Sequence, residues 1–329
     1  MRRVGRNGHG REEGEIPRMT PEEIRQRSAR AVRAAADAGR ELGLEVRDPV
    51  VLHDVFSVVV HLAPSPVVAR VPIVLPPDLR GAPLLARQRR ELNVVTWLGT
   101  RGVPVVAPSP LVPPAPAERD GFSMTFWELV EVSEEHVPYG SADSGRVVEL
   151  HAALRQYPTN GLLFLSPVNL TVPPLLHSLA GQPTLIDPAD LARAKEEWAI
   201  LEPVLGSPAA FEERFPGAVI QAVHGDVPSY NVILTTSGPR FADFEDVSLA
   251  PIEWDLAGAT AEDVENYDRE ASRRGAPTLD PDILQLMTAA RMLQMVASFA
   301  LVPELPILAD GLKPALEAWR GMPFAGGLR

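Results

Sequence analysis

Apolar positions change their spacing twice along the chain. The first clear element opens after Met19. Thr20 stands as an N-cap, Pro21 takes the first helical position and Glu23 follows three residues after the cap, the pattern of a capping box. That helix is predicted to run to about residue 38 or 42. From residue 50 to 74 branched side chains dominate in VVLHDVFSVVVHL and PVVARVPIVL. Ala63-Pro64-Ser65-Pro66 between them is a turn signal, so the stretch predicts strands. A helix over 86–100 follows, with Leu92, Val95 and Leu98 at helical spacing. A proline-rich extended segment over 103–117 then leads to a strand from residue 122 to about 132.

Beyond residue 132 the period becomes helical. Segments 144–156, 189–205, 281–301 and 313–320 each keep apolar residues to one side, and one β patch interrupts them over 218–245. A β-rich first half thus joins a helical second half near residues 127–131, which predicts an α+β fold of two lobes. The expected boundaries are a disordered extension over 1–19, a helix over 20–43, a small lobe over 44–127 and a larger lobe over 128–329. Two long apolar runs do not read as membrane segments. The run over 292–302 is far short of the roughly 20 residues a spanning helix needs. The run over 157–186 is broken as a helix by Pro158, Pro167, Pro173 and Pro174.

Composition narrows the function classes. The 329 residues are 45% hydrophobic and 22% charged, enough for a sizeable core. A formal net charge of −12 argues against a nucleic-acid binder. It admits a cationic small-molecule partner, and equally a merely solvated surface. With no cysteine there is no disulfide, thiolate zinc site or thiol nucleophile. The first 18 residues lack an apolar signal core, so a cytoplasmic location is expected. No GxGxxG, GxxxxGK[ST] or GxSxG motif occurs, which removes dinucleotide, P-loop and nucleophile-elbow readings.

The β patch carries the chemistry. An apolar strand rises to His224-Gly225-Asp226, a loop leads to Asn231, and strands on either side of a turn near Ser237 return to Asp243. Counted from Ser237, Asn231 and Asp243 each lie six residues out, so a hairpin is expected to bring them together. An amide and a carboxylate, both hard oxygen donors, suit Mg²⁺. Asp226, five residues before Asn231, is placed to reach a substrate hydroxyl. Taken singly, each of the three reads as a turn or cap residue; as a spaced set they fit phosphoryl transfer, which needs a metal and an acid that accepts a proton. His53 and His61 lack a third ligand, and His151 and His177 read as structural or solvent-facing. The acidic series Glu253, Asp255, Glu262, Asp263, Glu265, Asp268 and Glu270 reads as a solvated helix face, with a lining for a cationic acceptor as the alternative.

HGDVPSYN, followed by DFED and EWDLA, resembles the aminoglycoside phosphotransferase-like branch of the protein-kinase-like fold. The resemblance implies Asp226 as catalytic base and Asn231 and Asp243 as Mg²⁺ ligands. It also implies a structural His224 and an Asp255 that supports the loop from below. Val68-Ala69-Arg70 matches the nucleotide-gripping strand, and Glu91 the helix acid that pairs with it. Phe126-Trp127-Glu128-Leu129-Val130 resembles the hinge, where Glu128 and Val130 would read the nucleobase edge. Leu150-His151-Ala152 matches the helix leading toward the loop. These pieces cover roughly residues 48–300 in order. The implied activity is transfer of the γ-phosphoryl group of ATP or GTP, with Mg²⁺, to a hydroxyl of a small acceptor shaped by residues 162–185.

Three departures stand out. The first hairpin has no glycine, so Ser57 is the small polar candidate for covering phosphates. Arg70 replaces the commoner lysine. Pro228 follows Asp226 by two, so that loop supplies no second cation. A non-catalytic nucleotide binder and a protein kinase remain as alternatives; HGD in place of HRD and the lack of an APE segment weigh against the latter.

Overall fold

The computed structural model describes residues 17–137, 144–226 and 231–328; the expected disorder of residues 1–16 and the position of Pro228 lie outside them. Helix α1 spans Pro21–Glu41 and begins with the predicted capping box, Thr20 and Glu23 exchanging hydrogen bonds. Met19 is already fixed, its amide donating to the Pro303 carbonyl at 2.8 Å.

Strands β1 (Val46–Asp54), β2 (Ser57–Pro64) and β3 (Val67–Pro72) run antiparallel. Helix α2 (Ala82–Gly99) comes next, then β4 (Ala117–Arg119) and β5 (Phe122–Glu128). The sheet order is β1-β2-β3-β5-β4. Alternation in β2 buries Val58, Val60 and Leu62, while β3 is buried along its whole length. Alanines 31, 34, 35 and 38 of α1 are buried against the sheet. Their small side chains let the helix lie close to the strands.

The larger lobe holds α3 (Gly145–Leu154), α4 (Ser166–Asn169), α5 (Val172–Ala180), α6 (Pro188–Leu205) and α7 (Pro208–Arg214). Next come β6 (Ile220–Val223), the hairpin β7 (Val232–Thr235) and β8 (Gly238–Phe241), and β9 (Ser248–Pro251), which pairs with β6. Helices α8 (Ala261–Arg274), α9 (Pro281–Ala297), α10 (Leu308–Gly311) and α11 (Lys313–Gly321) complete it.

Two elements differ from the sequence reading. Prolines 173 and 174 do not break the 157–186 run throughout, because they sit in the first turn of α5, where an amide has no helical acceptor to lose. The proline-rich 103–117 segment ends in a short edge strand, β4. Helix α9 with its 3-10 extension, Pro281–Leu301, is long and apolar enough by length and composition to cross a membrane. In this fold it forms the spine of the larger lobe, in contact with α5, α6 and α11.

Candidate active site

Everything at the site is arranged around the turn after β6. Gly225 adopts φ 94°, and a Cβ there would stand 1.8 Å from the Asp246 carbonyl oxygen, so no other residue fits. Asp255 lies beneath, fully buried. Its Oδ2 accepts the His224 amide at 2.9 Å and its Oδ1 the Gly225 amide at 2.8 Å. His151 Nε2 lies 3.0 Å from Asp255 Oδ2, and its Nδ1 is 2.9 Å from the Tyr267 hydroxyl. Burial would raise the Asp255 carboxyl, yet the His151 bond and charges and the backbone amides hold it below its usual range. The Gly225 carbonyl accepts from Trp254 Nε1 and from Arg291 Nη2, both at 2.9 Å. His224 stacks on Phe244 with ring centres 4.3 Å apart, and its Nε2 is 2.9 Å from the Ala242 carbonyl.

The hairpin register places Val232 opposite Phe241 and Thr235 opposite Gly238, around a two-residue turn at Thr236 and Ser237. The Ala242 amide donates to the Asn231 carbonyl at 2.8 Å. Asn231 therefore faces Ala242, and Asp243 lies one residue farther along than the symmetric count from Ser237 expects. Asp243 leaves the strand with a left-handed φ of 61°. Asn231 Nδ2 donates to Asp226 Oδ2 at 2.9 Å, which joins those two candidates directly. The hairpin is held along both edges. Phe241 exchanges backbone bonds with Pro104 and Val106, while Ser133 donates to Leu234 and Thr236 to Glu131.

Arg70, on buried β3, reaches across the junction of the lobes. Its Nη2 donates to Glu91 Oε2 at 2.6 Å, and its Nη1 to Asp243 and, at 3.1 Å, toward Glu245. Arg87, one helical turn before Glu91 on α2, meets Asp246 at 2.5 Å and Glu245 at 3.3 Å. Arg291 Nη1 lies 3.7 Å from Asp226 Oδ1. Five carboxylates, Glu91, Asp226, Asp243, Glu245 and Asp246, thus face three guanidinium groups, so the acids outnumber the cations that pair with them.

The electrostatics follow from that excess. Burial opposes charge on Arg70, but Asp243, Glu91 and Glu245 outweigh it and hold the guanidinium charged. The surplus acids share what remains. Burial pushes Glu91 up to about 8 despite Arg70 beside it, with Asp243 and Glu245 adding to the rise. Asp243 rises for the same reasons, while Glu245, lying between Arg87 and Arg70, falls despite its burial.

The remaining candidates are spread around this centre. Ser57 begins β2 and lines a cavity of about 770 Å³ that Asp226, Glu245 and Asp246 also border. Glu128 is the last residue of β5 and Val130 lies two residues beyond it. The Glu128 amide donates to Ala107 and the Leu129 amide to Pro66, each already used within the fold. Of the acidic series, Asp255 and Asp263 border the cavity, and Asp263 is the capping partner of Thr260 on α8. Arg87 and Arg291 escaped the sequence reading. Arg87 stands at i−4 from Glu91, and Arg291 is the lone charge past the first turn of an apolar helix; both are signals of a kind that points to a buried partner.

A family model described as the phosphotransferase enzyme family matches residues 26–285. No curated protein sequence matches the chain. Among solved structures, the microcompartment-associated aminopropanol kinase aligns at 15% identity and a TM-score of 0.55, over 89% of this chain and 98% of its own. Choline kinase LicA from Streptococcus pneumoniae gives 12% and 0.56, over 85% and 97%. The GDP complex of wild-type aminoglycoside 2'-phosphotransferase-IIIa gives 14% and 0.55, over 86% and 95%. These likenesses show a shared two-lobed, protein-kinase-like α+β fold. With its family model matched across both lobes, the chain belongs to the phosphotransferase enzyme family and is an enzyme that transfers a phosphoryl group to an alcohol acceptor.

Proposed function

We propose that the chain is a Mg²⁺-dependent small-molecule kinase that moves the γ-phosphoryl group of ATP or GTP to a hydroxyl of a small acceptor. The observation that carries this reading is that Asn231 bonds to Asp226 while Asp243, close enough for the Asp226 charge to raise its carboxyl, pairs with Arg70 at a junction where acids outnumber guanidinium groups. A surplus of acids, with an amide and a carboxylate as hard oxygen donors, fits a divalent cation that completes its shell with water and phosphate. Asn231 and Asp243 would hold the ion, which when bound neutralises β- and γ-phosphoryl oxygens.

The chain's own groups do the rest. Asp226 keeps 49% of its side chain exposed and opens on the cavity, so an acceptor hydroxyl can reach it. The hydroxyl oxygen bonds to phosphorus as the bond to the nucleoside diphosphate breaks, and the hydroxyl proton passes to Asp226. Asn231 orients that carboxylate through its 2.9 Å bond. Arg70, aligned by Glu91, draws in the phosphates, and Ser57 covers them from the first hairpin. The backbone at Glu128 and Val130 reads the nucleobase. His224 and Asp255 support the loop. The GDP and ADP complexes among structures of this fold favour neither nucleotide.

Asp226→Asn tests the assignment. Turnover is expected to fall by about 10²–10⁴-fold, with Mg²⁺-nucleotide affinity by calorimetry largely kept. Wild-type-like kcat in the variant would end the role of Asp226 as base.

A further inference from the structure

We infer that the acceptor is an uncharged, largely apolar hydroxylated molecule rather than a polycationic sugar or a quaternary amine. The inference rests on the kinase reading, because it takes the cavity beside Asp226 as the acceptor's place. That cavity is walled by Leu75 and Leu79 after the sheet, by Met292 and Met295 of α9, and by Leu308 and Leu312 near the C-terminal end.

Most polar side chains on the same wall are engaged with the protein, although Arg291 Nε is buried without a partner. Arg291 donates to the Gly225 carbonyl and to Gln294 Oε1, and Gln294 Nε2 donates to the Pro167 carbonyl at 2.8 Å. The Ser298 hydroxyl donates to the Gln294 carbonyl, Ser144 to the Asp263 carbonyl and Thr171 to the Pro167 carbonyl. The acids are committed as well. Asp246 pairs with Arg87, Glu245 with Arg87 and Arg70, Asp255 with the turn amides, and Asp263 with Thr260. Asp226 also accepts from Asn231, but with half of its side chain exposed it is the carboxylate, among the described residues lining the cavity, that is best placed to meet the acceptor.

A ligand rich in hydroxyl and ammonium groups would have to bury them against partners already taken, and an unpaired buried polar group is costly. An apolar skeleton gains from the same wall, and needs polar chemistry only at the hydroxyl that meets Asp226. The net charge of −12 does not override this, because Glu245 and Asp246 beside the cavity pair with Arg87, and on the kinase reading the remaining surplus of acid is met by the divalent ion.

Two readouts keep the failure of this inference apart from that of the kinase reading. Nile red, an uncharged dye that brightens in apolar sites, is bound to the nucleotide-free protein. It is then displaced by a hydroxysteroid, a sesquiterpene alcohol and a neutral macrolactone, or by kanamycin and choline. In parallel, transfer from γ-labelled ATP and GTP is measured on both sets. The expected result is displacement by neutral apolar alcohols alone, with kcat/KM for the best of them at least about 100-fold above kanamycin and choline. Met295→Glu should weaken that acceptor by about tenfold or more through burial of a charge, with Mg²⁺-nucleotide affinity unchanged. Preferential phosphorylation of kanamycin or choline, or no displacement by any neutral alcohol, overturns the inference. Displacement without transfer to either set faults the kinase reading and still supports the ligand class of the cavity.

Discussion

Asp255 stands directly under Gly225, its Oδ1 accepting the glycine amide at 2.8 Å while its other oxygen takes the amide of His224 and lies against His151. One buried carboxylate therefore fixes two consecutive peptide units just before Asp226. Asp255→Asn keeps the volume but replaces one acceptor oxygen by a donor that faces an N–H. The expected cost is roughly 3 kcal/mol of stability, with activity lost in proportion to the disordered turn. Urea unfolding checks the stability. A midpoint equal to wild type would show that the amides find other acceptors.

Gly225 meets the opposite limit, that of space. The Cβ of Gly225→Ala would lie 1.8 Å from the Asp246 carbonyl, and its φ of 94° is strained for any L-residue. Steric overlap with backbone is among the most damaging single changes, about 4 kcal/mol or more. Soluble yield and thermal midpoint measure it, and a folded, active Gly225→Ala protein contradicts the close approach.

Removing Asp243 should separate function from stability. Its carboxylate belongs to a cluster in which acids outnumber guanidinium groups, and Glu245 and Asp226 raise its pKa, so Asp243→Asn relieves repulsion while Arg70 keeps Glu91 and Glu245. Mg²⁺-dependent nucleotide affinity is expected to fall about tenfold or more, and the nucleotide-free thermal midpoint to hold or rise. Calorimetric titration and a melt measure the two effects. Unchanged nucleotide affinity removes Asp243 from the metal site.

Arg70→Lys keeps the charge and loses the fork. A single ammonium cannot reach Glu91 on one side and Asp243 and Glu245 on the other as the guanidinium does. Nucleotide affinity is expected to drop about tenfold and stability by about 1–2 kcal/mol. Equal binding by Arg70→Lys in the same calorimetric assay would mean that charge alone suffices.

Stability should also carry a pH signature from Glu253. Its Oε1 accepts the Asp280 amide at 2.9 Å, its Oε2 is buried without a partner, and burial pushes its pKa up to about 7 from 4.5. Between those values the folded protein holds a proton that the unfolded chain releases. The contribution is thus complete below pH 4.5 and lost as pH rises through about 7, a total of about 3 kcal/mol. Glu253→Gln should flatten this slope in urea unfolding followed from pH 5 to 8. An identical slope in the variant would place the titration elsewhere.

Local rules made much of this fold legible. The capping box at Thr20 and Glu23, the branched strands on either side of 63–66 and the helices over 189–205 and 281–301 are local signals that tertiary contacts then reinforced. Helix α5 was hidden because two prolines look like breakers unless their place in the first turn is known. Strand β9 is four residues ending in proline, and only pairing with β6 makes it a strand. At the site, the spacing pointed to Asn231 beside Asp243, whereas the contact formed joins Asn231 to Asp226, and Asp243 lies one residue off because the turn centre falls between Thr236 and Ser237. Arg87 and Arg291 are long-range partners, 159 residues from Asp246 in one case and 66 from Gly225 in the other, a distance no local pattern encodes.

The hairpin that begins after Asn231 and ends before Asp243 is clasped by residues 104–106 on one edge and by residues 131–133, just past the hinge, on the other. Base docking at Val130 and ion capture at Asp243 would then act on a single mechanical piece. Thermodynamic reciprocity follows: whatever factor the divalent ion adds to the grip on the base, the base must return to the ion.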